Sequence, residues 1–225
     1  MMGFVIAIDG PSGVGKSSTS KKVAAELGLA YLDTGAMYRA VTVAFLDSGV
    51  DPADTQGVIQ ATTSADIRIT TDPSNQKVLV NGRDVTAEIR EPYVSEKVST
   101  VSTIPECRAD LVKRQREIIE SAEPGIVAEG RDITTVVAPD AQVRILMSAD
   151  PAARMARRKA ELGEKVDSAQ LADQVIRRDR DDSKLVNFTT AADGVVSLDN
   201  TDLSLDQTVQ AITALAEQAG WSKRG

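Results

Sequence analysis

Eight residues near the start of the chain, Gly10-Pro11-Ser12-Gly13-Val14-Gly15-Lys16-Ser17, have the types and spacing that grip a polyphosphate. Glycines let a backbone curl until successive N–H groups point at one anion, and a helix beginning at the loop adds partial positive charge. In this G-x-x-x-x-G-K-S pattern Lys16 reaches the β- and γ-phosphates and Ser17 offers its hydroxyl to Mg²⁺. Gly10 to Ser18 therefore read as a nucleoside-triphosphate loop. The arginines suit a second anion. A guanidinium keeps its charge and binds phosphate oxygens with a planar fork. Arg39 and Arg131 fall at strand–loop–helix junctions, and Arg154, Arg157 and Arg158 recur at three- and four-residue spacing. Arg177, Arg178 and Arg180 alternate with Asp179, Asp181 and Asp182. Alone, the last two clusters would be solvated helix surface with ion pairs such as Arg178–Asp182. Behind a phosphate loop they read as a mobile lid that excludes water from a transfer reaction.

The elements that hold these residues follow from periodicity. Phe4–Asp9 opens with five consecutive apolar residues, as in a parallel strand buried on both faces, and Val23, Ala24 and Leu27 then recur at helical spacing up to Gly28. A short strand is expected at Leu29–Leu32, a helix over about Ala36–Ser48, and another short helix in the fifties. Over Ala65–Val85 the period changes to two, and Asn81-Gly82 suits a two-residue hairpin turn. This stretch reads as a small antiparallel sheet inserted on the substrate side. Helices follow over Pro92–Ser102 and Pro105–Ser121, strands at Ile126–Ala128 and Val143–Met147, and a charged helical stretch over Ala152–Asp182. A strand at Val195–Leu198 and a helix at Asp206–Ala219 close the chain. Strands alternating with helices imply a three-layer α/β/α fold around a parallel sheet, with ligands beyond the carboxyl ends of the strands.

Composition narrows the chemistry. The 225 residues suffice for one core with an appended subdomain. A net charge of −7 argues against a broad nucleic-acid or anionic-membrane surface. No apolar run approaches the roughly 18 residues of a membrane span, and the first residues lack an export-signal pattern. With Cys107 the single cysteine, no intrachain disulfide can form and a cytoplasmic setting is expected. The sequence holds no histidine, which removes His-based acid–base chemistry and Ser-His-Asp triads. Phosphoryl transfer tolerates that loss, since it depends on positioning and charge stabilisation.

Gly10-Pro-Ser-Gly-Val-Gly-Lys-Ser-Ser, Leu32-Asp-Thr-Gly-Ala-Met-Tyr-Arg39, Glu88-Ile-Arg, Glu129-Gly-Arg-Asp132 and Arg178-Asp-Arg-Asp-Asp-Ser183 together resemble the bacterial cytidylate kinases, in order and spacing from about Val5 to the closing helix. The resemblance implies a P-loop nucleoside-monophosphate kinase that uses ATP and Mg²⁺ to phosphorylate CMP and dCMP, acting as a monomer in pyrimidine nucleotide metabolism. It implies a core of about residues 1–35, 103–147 and 190–225, a monophosphate-binding subdomain over about 36–102 with the inserted sheet at 65–86, and a helical lid over about 148–189. Carried over by position, Thr34, Ser99, Arg108 and Asp132 surround the cytosine, and Arg39 and Arg131 hold the CMP phosphate. Arg178 and Asp182 contact the acceptor nucleotide, and Arg154, Arg157 and Arg158 meet the ATP phosphates. Tyr38 packs or positions rather than reacts.

Two departures from the family pattern stand out. Lys184-Leu185 replaces the usual arginine after the Asp-Ser element, with one residue apparently missing, which bears on lid closure. Thr134 stands where glycine is common, so the local backbone is expected to differ, because a β-branched residue does not take positive φ cheaply. Two rival readings remain. One is a P-loop kinase for another acceptor such as UMP, shikimate or gluconate. The other is a nucleotide-binding switch module, against which stands the lack of an Asn-Lys-x-Asp guanine signature.

Overall fold

The computed structural model describes residues 3–162 and 190–222. At its centre lie five parallel strands, β1 (Phe4–Asp9), β2 (Ala30–Asp33), β6 (Gly125–Gly130), β7 (Val143–Ser148) and β8 (Val196–Asp199), in the order β2-β6-β1-β7-β8. Apolar residues on both sides of each central strand require cover on both faces, and the helices supply it. Ile6, Ile8, Val127, Tyr31 and Ile145 face α1 (Lys16–Leu27) and α7 (Leu205–Gln218), packing with Val23, Leu27, Val209 and Ile212. Val5, Ala7, Leu32, Ile126 and Ala128 face the other way, onto Met37, Val41 and Phe45 of α2 (Thr34–Ser48) and Leu111 and Ile119 of α5 (Pro105–Ser121). Alternate residues of β1 thus feed two separate cores. Each fully buried isoleucine contributes on the order of 2–3 kcal/mol.

The expected small sheet is present. β3 (Ile67–Ile69), β4 (Val78–Val80) and β5 (Arg83–Asp84) are antiparallel, and Asn81 (φ 49°) and Gly82 (φ 81°) form the turn between the last two. This sheet packs Val78 and Val80 with Val85 and Ile89 against Ala36, Ala40 and Val43 of α2. Beside it run α3 (Thr55–Thr63) and α4 (Pro92–Ser102). Both α4 and α5 start at a proline, which presets the first helical φ without forfeiting a needed N–H.

Two features differ from the expectations. α2 begins at Thr34 rather than Ala36, because the Asp33 carboxylate accepts the Ala36 N–H at 2.8 Å and caps the helix earlier. A single π-type turn over Ile133–Val137 follows β6 and had no periodicity to announce it. At Thr134 the backbone takes the form that a β-branched side chain requires, its φ not being positive, and Asn81 is the only non-glycine with positive φ among the described residues. Of the charged stretch after β7, α6 (Pro151–Leu162) is described, whereas Arg178, Asp182, Lys184 and Leu185 lie outside the described residues. The chain's tryptophan, Trp221, packs on Phe4 with ring centroids 5.2 Å apart, at the end of β1 opposite the loop.

Candidate active site

Register places the site. Asp33 of β2 lies opposite Glu129 of β6, and Asp9 of β1 opposite Gly130, so three strands end together at one rim of the sheet. From the end of β1 the chain enters the glycine-rich loop and then α1, whose first residue is Lys16. The Lys16 ammonium donates to the carbonyls of Gly10 at 2.6 Å and Pro11 at 2.9 Å, which holds a point charge over the loop. Val14 is buried, while Ser17 and Ser18 are exposed at the helix start. Gly13 (φ 75°) also meets a steric demand: a Cβ there would stand 2.8 Å from the Arg154 carbonyl of α6.

Of the three arginines assigned to the donor, Arg154 donates to the Ser12 carbonyl at 3.1 Å and so sits against the loop. Arg157 also meets the loop: its guanidinium donates to the carbonyls of Val14, Asn200 and Thr201 and to the Asn200 side chain. The side chain of Arg158 lies outside the described residues.

Beneath the loop is a buried polar cluster that sequence reasoning left without a role. Tyr31 donates its hydroxyl to Glu129, and Ser17 bonds to the same carboxylate. Burial, together with the charge of Asp33, pushes the Glu129 carboxyl up from 4.5 to about 7, against the opposing pull of Lys16 and of the bonds from Tyr31 and Ser17. A carboxyl raised in the fold binds its proton more tightly there than in the unfolded chain. Its contribution to stability is therefore full below the unfolded value and is lost as pH climbs through 4.5 toward about 7. In metal-free buffer the wild-type melting temperature should fall relative to that of Glu129→Gln between pH 5 and pH 8. A gap that stays constant with pH would contradict this account.

A second buried carboxylate, Asp9, joins the two halves of the site. It accepts the backbone N–H of Ile133 at 2.9 Å and of Thr134 at 2.8 Å, and the Thr134 hydroxyl at 2.6 Å. Burial raises its pKa, and the bonds from Thr134 and Ile133 oppose that shift. Thr134 thus puts its extra hydroxyl to use on the strand that carries the phosphate loop.

The residues expected at the acceptor are carried by β2, β6 and the helices beside them. Arg39, nearly buried, pairs with Asp33 at 3.1 Å. Arg131 follows Gly130 at the end of β6, half-buried. Arg108, near the start of α5, forms an ion pair with the buried Asp132. Thr34 is buried and donates its hydroxyl to the Glu129 carbonyl at 2.8 Å. Tyr38, on α2, packs against the apolar core. Ser99 is exposed on α4, where its carbonyl accepts from Thr103. Arg39, Thr34, Arg108 and Asp132 are therefore tied directly to the ends of β2 and β6 or to the turn beyond.

Among the described residues no helix is long and apolar enough to cross a membrane, and no group of three His, Cys, Asp or Glu side chains could hold a metal ion. The family model for cytidylate kinase matches residues 6–218. A protein named cytidylate kinase from Cutibacterium acnes is 54% identical over 214 residues, covering 94% of this chain and 95% of that one. A protein of the same name from Streptomyces avermitilis is 46% identical over 216 residues, covering 95% and 93%. Among solved structures, a gluconokinase from Sinorhizobium meliloti aligns with a TM-score of 0.51 at 14% identity, covering 97% of this chain and 94% of that one, a likeness of fold alone. A family match across almost the whole length, onto a sheet that gathers a phosphate loop and paired arginines at one rim, shows that this chain belongs to the cytidylate kinase family.

Proposed function

We propose that the chain transfers the γ-phosphoryl group of ATP to CMP and dCMP, giving ADP with CDP or dCDP. The observation that carries this reading is the pairing of two unlike anion sites on adjacent strands. β1 ends in the phosphate loop, and β6 ends in Arg131 and the Arg108–Asp132 pair. The Asp9 carboxylate fixes the turn after Asp132 to the strand that carries the loop. Cytosine offers an amino donor beside two acceptors, so a carboxylate and a guanidinium side by side can read its edge. Thr34 and Ser99 complete that surround, and Arg39 and Arg131 take the acceptor phosphate.

The acceptor phosphate is already nucleophilic at neutral pH, so no general base is required and a chain without histidine can perform the reaction. Lys16 and the loop N–H groups stabilise charge on the transferring group, and Arg39 and Arg131 neutralise the approaching acceptor. Mg²⁺ fits the residues present. Ser17 offers a hydroxyl beside the Glu129 carboxylate, and the Asp33 charge next to it favours a cation. When bound there, the ion would neutralise and orient the β- and γ-phosphates. A cytoplasmic setting belongs to the same reading, consistent with the free, buried Cys107, and so does the monomeric state that the family resemblance implies.

A coupled ADP-release assay with MgATP and each of CMP, dCMP, UMP, AMP, GMP and shikimate tests it. Fast turnover confined to CMP and dCMP is expected. Equal rates with all nucleotides, or turnover on shikimate alone, would overturn the assignment.

A further inference from the structure

Asn200 follows the last residue of β8, is 3% exposed, and belongs to none of the motifs that mark the nucleotide sites. Its side-chain amide is engaged at both ends. Nδ2 donates to the Val14 carbonyl at 2.9 Å, and Oδ1 accepts from Arg157 at 3.0 Å. Arg157 closes the arrangement by donating to the same Val14 carbonyl at 3.2 Å and to the Asn200 carbonyl at 2.7 Å. The backbone of Asn200 is fixed in turn by its N–H on the Ser148 carbonyl at 2.9 Å, at the end of β7. A single residue therefore links two strand ends, α6 and the middle of the phosphate loop.

The Val14 carbonyl matters because of the peptide it belongs to. In a trans peptide the C=O and the next N–H point in opposite directions. Two donors that hold the Val14 oxygen away from the loop's concavity aim the Gly15 N–H into it. Gly15, at φ 94°, is the turn residue immediately before Lys16, and Asn200 Nδ2 would lie 4.0 Å from a Cβ placed there. Preorganised N–H donors of this kind contribute most when no reorientation is needed as the ligand arrives.

We propose that Asn200 is a positioning residue of the phosphate loop, acting with Arg157 to fix the direction of the Val14–Gly15 peptide and so the loop's affinity for polyphosphate. Resting on the kinase reading given above, it extends that reading to a residue outside the motifs. It also gives Arg157 a role in holding the loop.

Inorganic tripolyphosphate and ADP serve as probes, titrated by calorimetry into wild type, Asn200→Asp and Asn200→Ala. The Asp variant keeps the acceptor for Arg157 but sets an oxygen against the Val14 carbonyl, and the Ala variant deletes both bonds. In each variant tripolyphosphate and ADP should weaken by the same factor, about tenfold, the scale of losing the buried bond to the Val14 carbonyl that both variants lack. The KM for MgATP should rise in step, with that for CMP unchanged. Loss of ADP affinity alone would place Asn200 in a base pocket and overturn the proposal. Unchanged affinities in variants that melt at lower temperature would reduce its role to stability and overturn it too. If wild type itself bound no tripolyphosphate, the phosphate-loop reading would have failed instead, and the two failures are thereby distinguished.

Discussion

Replacing Lys16 by alanine is expected to lower kcat by about a thousandfold, the scale of removing one preorganised charge from a transferring group. The ammonium is held 2.6 Å and 2.9 Å from the Gly10 and Pro11 carbonyls, so its place over the loop is fixed by the loop itself. That geometry serves a compact point charge. Lys16→Arg should therefore recover little, because a planar fork cannot sit on the same two carbonyls and present the same charge. The substitution removes no core contact, and the melting temperature should change by no more than a few degrees. Turnover within tenfold of wild type, in Lys16→Ala protein with an unaltered circular dichroism spectrum, would sink the role assigned to this side chain.

The second large effect is expected at Asp132. It is buried and paired with Arg108, whose side chain is 23% exposed, so Asp132→Ala removes the carboxylate proposed to read the base and strands a guanidinium at once. The KM for CMP should rise by about a hundredfold, since a site built to hydrogen-bond a substrate group discriminates strongly through it. The KM for MgATP should stay near its starting value, because Asp132 lies on the acceptor side of the Asp9 link. Selectivity for CMP over UMP should fall together with CMP affinity. Steady-state kinetics with both acceptors decide the matter: equal losses on CMP and UMP would mean that Asp132 serves only to hold Arg108.

The fold was legible where burial imposes a period. Phe4–Ile8 could only be a doubly covered strand, the two prolines at 92 and 105 located the starts of α4 and α5, and Asn81-Gly82 located the hairpin turn. The phosphate loop was legible because its function is written in consecutive residues. What escaped was whatever depends on strands meeting far apart in sequence. Asp9 and Ile133 are 124 residues apart, and Val14 and Asn200 are 186 apart. Only register brings such groups together. A signal existed for the carboxylates, since Asp9 and Glu129 each close an apolar strand where a charge must find partners. Nothing comparable marked Asn200. The bonds of Arg157 to Val14 and Asn200 were equally hidden, because spacing on a helix shows which residues share a face and says nothing of what that face meets.

The contact between Phe4 and Trp221 bears on how this chain can be studied. β1 is six residues long, about 20 Å from end to end, and the indole packs at the end away from the phosphate loop. Intrinsic tryptophan fluorescence therefore reports whether the N-terminal strand and the segment after the last helix are docked, and should stay nearly silent when nucleotides bind. The natural fluorophore is thus a clean unfolding probe for every variant described above, whereas following ligand binding by light will require a reporter introduced on the opposite rim of the sheet.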